Sequence, residues 1–398
     1  MRITEFELRN FKSFGDYNTP PTGVVPSLRK MNMIYGENNS GKSNLLKFIH
    51  TIFSGKSDTD SGLEVEGETG PVIRTISTPF WKGKIHNSPF MFHKNDRTRE
   101  IKFYFIIEFA NTELFKPEFP QSAALRIEYP SAANISLLRF EGIIKSYSDP
   151  YLSEIILKRA ELNGRELYLD TGTTKHYFRS GAATQALIGD TLLFENLIGI
   201  LNNTVSFIDT DRFFSDESEN RKAVKLTAKN YKNWLHNLSL DVIHHDTYLK
   251  YIDFVKRHHA IFGLFRNFTP SFATDDRGQI ELIISNGTER LPIDSYGTGV
   301  QQLLYLLALL FSTKSRIVLI EELELNLSPK SQKKLFQLVR NLIGEGVIDQ
   351  VVFTTHSPYF RFTTDFSFYE VTMNAEKVST VENVPSVRHG FFTNNRLA

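Results

Sequence analysis

The run Gly36-Glu-Asn-Asn-Ser-Gly41-Lys42-Ser43 has the residue types and spacing that hold phosphate. In such a loop successive backbone N–H groups wrap the phosphate oxygens, and glycines let the chain come close. Lys42 reaches the outer phosphates and the Ser43 hydroxyl is suited to Mg²⁺. Asn38, Asn39, Ser40 and Asn44 belong to the same expected cradle, and a helix starting near Lys42 adds its N-terminal dipole. A second concentration of chemistry is Glu321-Glu322, which ends the apolar run Ile317-Val-Leu-Ile320. In a nucleotide-binding protein, one carboxylate at such a strand end completes a Mg²⁺ shell. The next orients or deprotonates an attacking water. Glu321 is assigned to the metal and Glu322 to the water.

These groups need particular elements beneath them. Met31 to Tyr35 reads as a short strand entering the loop, and Leu45, Phe48, Ile49 and Ile52 recur at helical spacing after it. Residues 54–78, rich in Gly, Ser, Thr, Asp and Glu, read as a surface loop. The stretches 101–109, 125–129, 135–140 and 166–169 read as strands of an antiparallel sheet, with a turn at Asn163-Gly164. Residues 182–203 and 216–262 read as helical, with a strand Val205–Ile208 between them, and no heptad repeat is sustained. From Ile280 the order returns to alternating strands and helices: strand 280–285, helix 299–312, strand 317–320, helix 329–343, strand 351–355. The last helix has Ser328 as N-cap, Pro329 in its first turn and Gly344 just past its end. Residues 366–372 and 377–382 read as a closing hairpin. The expected organisation is 1–53 with the phosphate loop, a β-rich part 54–180, a helical insertion 181–270, a C-terminal part 271–383 and a tail 384–398.

With these motifs in order, the chain resembles the ABC-class ATPases of the SMC/RecF/OLD branch, over about residues 1–52 and 280–370. The resemblance implies an α/β P-loop ATPase head, with ATP and Mg²⁺ as ligands and two copies closing head to tail around nucleotide. Ile3-x-x-Phe6-x-Leu8-x-Asn10-Phe11-Lys12-Ser13-Phe14 is similar to the family's N-terminal strand and turn, which makes Lys12 and Ser13 nucleotide contacts. Ser295-Tyr-Gly297-Thr-Gly299, followed by Gln301-Gln302 and an apolar helix, resembles the ABC signature, so Ser295 and Gly297 would cap the nucleotide held by a partner copy. Glu321-Glu322-Leu-Glu324-Leu-Asn326-Leu-Ser328-Pro329 resembles the Glu-Glu-Pro-Glu stretch of OLD-like ATPases. Here Leu323 replaces the proline and Ser328 a histidine, at the expected dimer interface. Thr354-Thr355-His356-Ser357-Pro358 is similar to the OLD-type switch, which gives His356 the role of sensing the γ-phosphate. The family also has a glutamine that touches Mg²⁺, and Gln121 is the candidate.

Composition narrows the function. In 398 residues the formal net charge is +1, which excludes a globally basic nucleic-acid binder while allowing a local patch. There are no cysteines, so disulfides, thiolate metal sites and cysteine nucleophiles are excluded. The longest apolar run falls well short of the ~20 residues of a spanning helix. The start of the chain does not read as a signal peptide, so a cytoplasmic protein without membrane contact is expected. The pairs His244-His245 and His258-His259 point about 100° apart on a helix and do not make a metal site. Asp209 and Asp211 form an acidic pair without a third ligand at sensible spacing. Arg221, Lys222, Lys225, Lys229 and Lys232, with Tyr231 and Trp234 nearby, could contact DNA or form a solvated face.

The Glu-Glu and Thr-His-Ser-Pro motifs resemble AAA15/AAA21-type ATPases and the ATPase subunits of anti-phage systems such as PARIS, Septu, Gabija and RloA-like abortive infection. The resemblance implies a sensor or scaffold ATPase acting with a separate effector, a nuclease, as homodimer or higher homo-oligomer. A fused nuclease, which needs on the order of 100 further residues, is not expected. The alternative is a RecF-like DNA-repair ATPase that binds DNA in an ATP-dependent way.

Overall fold

A computed structural model of the chain describes residues 1–15, 22–53, 81–86, 91–109, 137–146, 152–170, 175–180, 183–190, 205–210, 226, 230–243, 245–262, 268–274, 280–286, 289–312, 316–325, 327–357 and 366–386. Two sheets carry the architecture. The first is antiparallel and nine-stranded. It contains β1 (Arg2–Arg9), β2 (Gly23–Val25), β4 (Trp81–His86), β5 (Ile101–Glu108), β6 (Leu137–Ser146), β7 (Leu152–Leu162), β8 (Arg165–Asp170), β9 (Lys175–Ser180) and β10 (Ala183–Asp190). Its order is β10-β9-β8-β7-β6-β5-β1-β2, with β4 also pairing β7. The second sheet has six strands in the order β11-β15-β16-β3-β17-β18. These are β3 (Met31–Gly36), β11 (Val205–Ile208), β15 (Ile317–Ile320), β16 (Gln350–Thr355), β17 (Ser367–Met373) and β18 (Ser379–Val384). All its pairings are parallel except the β17–β18 hairpin. A small antiparallel sheet, β12 (Thr269–Thr274), β13 (Ile280–Asn286) and β14 (Glu289–Pro292), leads into the last part of the chain.

Helix α1 (Lys42–Phe53) lies between the two large sheets. Its ring Phe48 sits 5.0 Å from Phe11 and 6.0 Å from Phe105, and Phe53 sits 4.8 Å from Phe105. Each buried aromatic of this kind contributes a few kcal/mol of transfer energy, so the cluster pins the helix whose first residue is Lys42. On the other face of the parallel sheet lie α2 (Tyr231–Leu240), α3 (His245–Phe262), α4 (Thr298–Ser312) and α5 (Pro329–Gly344). Strand β15 shows why its sequence is uniformly apolar. Ile317 and Leu319 enter the core around α1, Val318 and Ile320 enter the other, and all four are fully buried. A strand covered on both faces has no solvent side to mark with polar residues.

Two local expectations are corrected. Ala183–Asp190, expected to be helical, is strand β10, paired antiparallel to β9. Its register shifts twice, between Gln185 and Leu187 and between Leu187 and Gly189. Bulges of this kind break the period of two, so the segment lacks the alternation that marks a strand. Gly344 closes α5 rather than following it, and the left-handed position beyond the helix is taken by Gly346 at φ 70°. The Ser328 cap is as expected, its side chain accepting from the Ser331 N–H. The sheets also run across the expected segments: β1 and β2 join the antiparallel sheet, and Val205–Ile208 joins the parallel one. The expected loop at 54–78 and strand at 125–129 lie outside the described residues.

Candidate nucleotide site

Strands β15, β16 and β3 are adjacent and parallel, so their carboxyl ends meet at one edge of the sheet. That edge receives the loop 36–41 from β3, Glu321 and Glu322 from β15, and Thr354 to His356 from β16. A cleft of about 500 Å³ opens there, lined by Asn38, Asn39, Gly41, Lys42, Ser43, Asn44, Glu322, Thr354 and His356. The volume suits a small-molecule ligand, and the edge is where α/β sheets bind ligands. Ligands drawn from residues more than 300 positions apart in the chain are thus brought together by strand order alone.

The loop requires its glycines. A Cβ on Gly36 would stand 2.1 Å from the Val371 carbonyl oxygen. Gly41, at φ 106°, would press a Cβ to 2.6 Å from the hydroxyls of both Ser13 and Ser379. Those two serines tie the loop to its neighbours. The Ser379 hydroxyl donates to the Ser40 carbonyl at 2.5 Å, Ser379 N–H donates to the Ser13 carbonyl at 2.7 Å, and Asn44 Nδ2 donates to Ser13 Oγ at 3.0 Å. Lys12 holds a left-handed φ of 50°. Its N–H donates to the Met91 carbonyl, and its own carbonyl lies 2.7 Å from His93 Nδ1. A carbonyl only accepts, so Nδ1 of His93 carries the proton. Lys12 and Ser13 flank the loop without lining the cleft.

Lys42 is 5% exposed. Its Nζ donates to the carbonyls of Gly36 at 3.1 Å and Glu37 at 2.6 Å. Burial pulls its pKa down to about 8, against the pull of Glu322, Glu324, Glu321 and Glu37. A cation so placed gains most from an anion that displaces the water and neutralises it. Glu322 has a left-handed φ of 47°, uncommon for a residue with a Cβ. Its N–H is fixed by Thr354 Oγ1 at 2.9 Å. His356 Nε2 stands 3.9 Å from Glu322 Oε1. Burial, then the Lys42 charge, lowers the His356 pKa to about 4, so the imidazole is neutral near pH 7. Glu321 is buried at the end of β15, its N–H donating to the Ile208 carbonyl, and it does not line the cleft.

The structure therefore groups Lys42, Ser43, Glu322 and His356, with Asn38, Asn39, Gly41 and Asn44. It places Ser295 and Gly297 elsewhere, exposed just before α4. Gln121, Asp211, His244, Arg221, Lys222, Lys225 and Lys229 lie outside the described residues. Lys232 is engaged by Asp294 at 2.5 Å. Among the described residues no group of three or more His, Cys, Asp or Glu could hold a metal. Ser43 and the strand-end carboxylates still suit Mg²⁺, a hard ion that takes one or two carboxylates and completes its shell with phosphate and water. Sequence reasoning gave no role to Glu324, Gln332, Ser357, Ser379 or His93. The signal for Glu324 was its place as the last carboxylate of the stretch that resembles Glu-Glu-Pro-Glu, two positions after Glu322.

Over residues 31–361 the chain matches the family AAA_21, described as "AAA domain, putative AbiEii toxin, Type IV TA system". The chain belongs to this family. In fold it is similar to an SMC head bound to the C-winged helix domain of ScpA, with a TM-score of 0.50 and 14% identity over 96% of this chain and 98% of that one. SMC heads from Thermotoga maritima (TM-score 0.44, 12% identity, 96% and 99% covered) and Pyrococcus furiosus (0.47, 13%, 96% and 96%) are further matches. The uncharacterized protein MJ1542 of Methanocaldococcus jannaschii is 28% identical over 94 residues. The match takes in 23% of this chain and 11% of that relative, so the chain spans a small part of it. The expected α/β P-loop fold is thus the fold observed, and it is similar to that of an SMC head. Among the described residues, no helix is long and apolar enough to cross a membrane.

Proposed function

We propose that the chain binds ATP with Mg²⁺ and hydrolyses it as two copies close head to tail around the nucleotide. The observation that carries this reading is the single cleft shared by Lys42, Ser43, Glu322 and His356, with Ser295 and Gly297 exposed away from it. The loop amides and Lys42 bind the phosphates. Ser43 would hold Mg²⁺, and Glu321, which does not line the cleft, would complete the shell through water; the ion would offset phosphate charge. Glu322 orients water and takes its proton. The neutral His356 donates a hydrogen bond toward the γ-phosphate, and its state reports whether that group is present. Ser295, Gly297 and the N-terminus of α4 cap the phosphate of the opposite copy, as helix N-termini do. Gln121 is the candidate that would complete the Mg²⁺ shell.

In the same reading the chain is the switch of an anti-phage or mobile-element defence system, and a separate effector, a nuclease, does the damage. Support comes from the Glu-Glu and Thr-His-Ser-Pro motifs and from the toxin named in the family description. ATP turnover and light scattering, compared between wild type and Lys42→Ala, test the enzyme. Phage challenge of cells carrying the gene with its neighbours tests the role. Absence of turnover in wild type sinks the first, and equal phage sensitivity with wild type and Lys42→Ala sinks the second.

A further inference from the structure

Hydrogen bonds from Glu322, Leu323, Glu324 and Gln332 join their segment to the loop carrying His356. Glu322 N–H donates to Thr354 Oγ1 at 2.9 Å, and Leu323 N–H donates to the Thr354 carbonyl at 3.2 Å. The His356 N–H donates to Glu324 Oε1 at 2.5 Å. The Ser357 hydroxyl donates to Gln332 Oε1 at 2.5 Å, and Gln332 Nε2 donates to the Leu327 carbonyl at 2.8 Å. These partners lie between 25 and 32 positions apart, except Gln332 and Leu327. Gln332 and Ser357 are buried. Burial, the largest influence, raises the Glu324 carboxyl above its usual range, and nearby Glu322 adds to this. Placing a carboxyl there is costly unless its hydrogen bond to His356 returns something.

We propose that Glu324 and Gln332 are positioning residues: they clasp the His356 loop to the segment 322–332, so that this segment sets where the His356 ring stands over the cleft. The inference rests on the proposed ATPase reading for its consequence. Ser328, Pro329 and Lys330, at the start of α5, are exposed, so a body docking there moves His356 and Glu322 together. The second copy expected in the proposed cycle is such a body. Neither Glu324 nor Gln332 lines the cleft. Their effect passes through the backbone N–H of His356 and the side-chain hydroxyl of Ser357, and removing the uncharged Gln332 alters turnover without altering ATP affinity.

The test uses the full chain with Glu324→Ala, Glu324→Gln, Gln332→Ala and Ser357→Ala. Amide exchange read by mass spectrometry on the peptide covering 351–357 rises about tenfold in Glu324→Ala and Gln332→Ala, a loss of order one buried hydrogen bond. Turnover falls about tenfold in both, with the KM for ATP unchanged in Gln332→Ala, whose side chain carries no charge toward Lys42. Glu324→Gln keeps an acceptor for the His356 N–H and retains turnover within about threefold. The double variant Gln332→Ala with Ser357→Ala is no worse than Gln332→Ala alone, since Gln332→Ala already removes the bond that Ser357→Ala removes. Unchanged exchange in Glu324→Ala and Gln332→Ala overturns the clasp, as does a fall in ATP affinity that matches the fall in turnover. If wild type does not hydrolyse ATP, the proposed function fails, and the exchange measurement still decides the clasp. Should Glu324→Ala not fold, Gln332→Ala carries the same decision.

Discussion

If the chain binds ATP as proposed, the buried ammonium of Lys42 makes that binding depend on pH. With its pKa held down at about 8, Lys42 is roughly nine-tenths charged near pH 7 and roughly one-tenth charged near pH 9. A bound triphosphate pairs with the charged form only. The apparent Kd measured without Mg²⁺ therefore rises about tenfold between those pH values, and binding near pH 9 takes up close to one proton. Titration calorimetry in two buffers of different ionisation enthalpy reads both quantities. Loss of fold does not enter. The folded pKa lies below the ordinary 10.5, so the unfolded chain holds more protons between about 8 and 10.5, and the unliganded protein gains stability as pH rises through that window. In Lys42→Arg the guanidinium stays charged throughout and the profile flattens. A wild-type Kd that is constant over the range refutes the argument that burial weakens this ammonium.

Glu322→Gln keeps the shape of the side chain and removes the base. Turnover is expected to drop about a hundredfold or more while ATP binding persists and a nucleotide-loaded dimer accumulates on size exclusion; a wild-type rate would remove Glu322 from the reaction. The His356 imidazole is expected to titrate near pH 4, which NMR reads directly. Because the folded state resists that proton, stability falls as pH is lowered from about 6.5 toward 4, and a midpoint near 6.5 would mean the ring does not feel its burial. Gly36→Ala forces a methyl to 2.1 Å from the Val371 carbonyl, so β17 must shift; a cost of about 1–3 kcal/mol is expected as a lowered Tm, and an unchanged Tm contradicts the close approach.

Much of this protein is written locally. The apolar run Met31–Tyr35, the glycine loop and the helical spacing of Leu45, Phe48 and Ile49 each carry their own pattern, and the structure contains β3, the loop and α1 where that pattern lies. The same holds for β15, α5 with its Ser328 cap, and the β17–β18 hairpin. In each, element type follows from spacing within a dozen residues. β10 escaped because its register shifts remove the alternation by which a strand is read, and only pairing with β9 makes it one. Glu324 and Gln332 escaped for a different reason. What they touch is chosen by the parallel order β15-β16, which sets Leu323 against Thr354 and Glu324 against His356. Burial gives those contacts their force: it lowers Lys42, keeps His356 neutral and raises Glu324. The sequence by itself determined which residues could do chemistry and which short elements carry them. The tertiary structure decided which of them share a cleft, because strand order and desolvation depend on the whole packed chain.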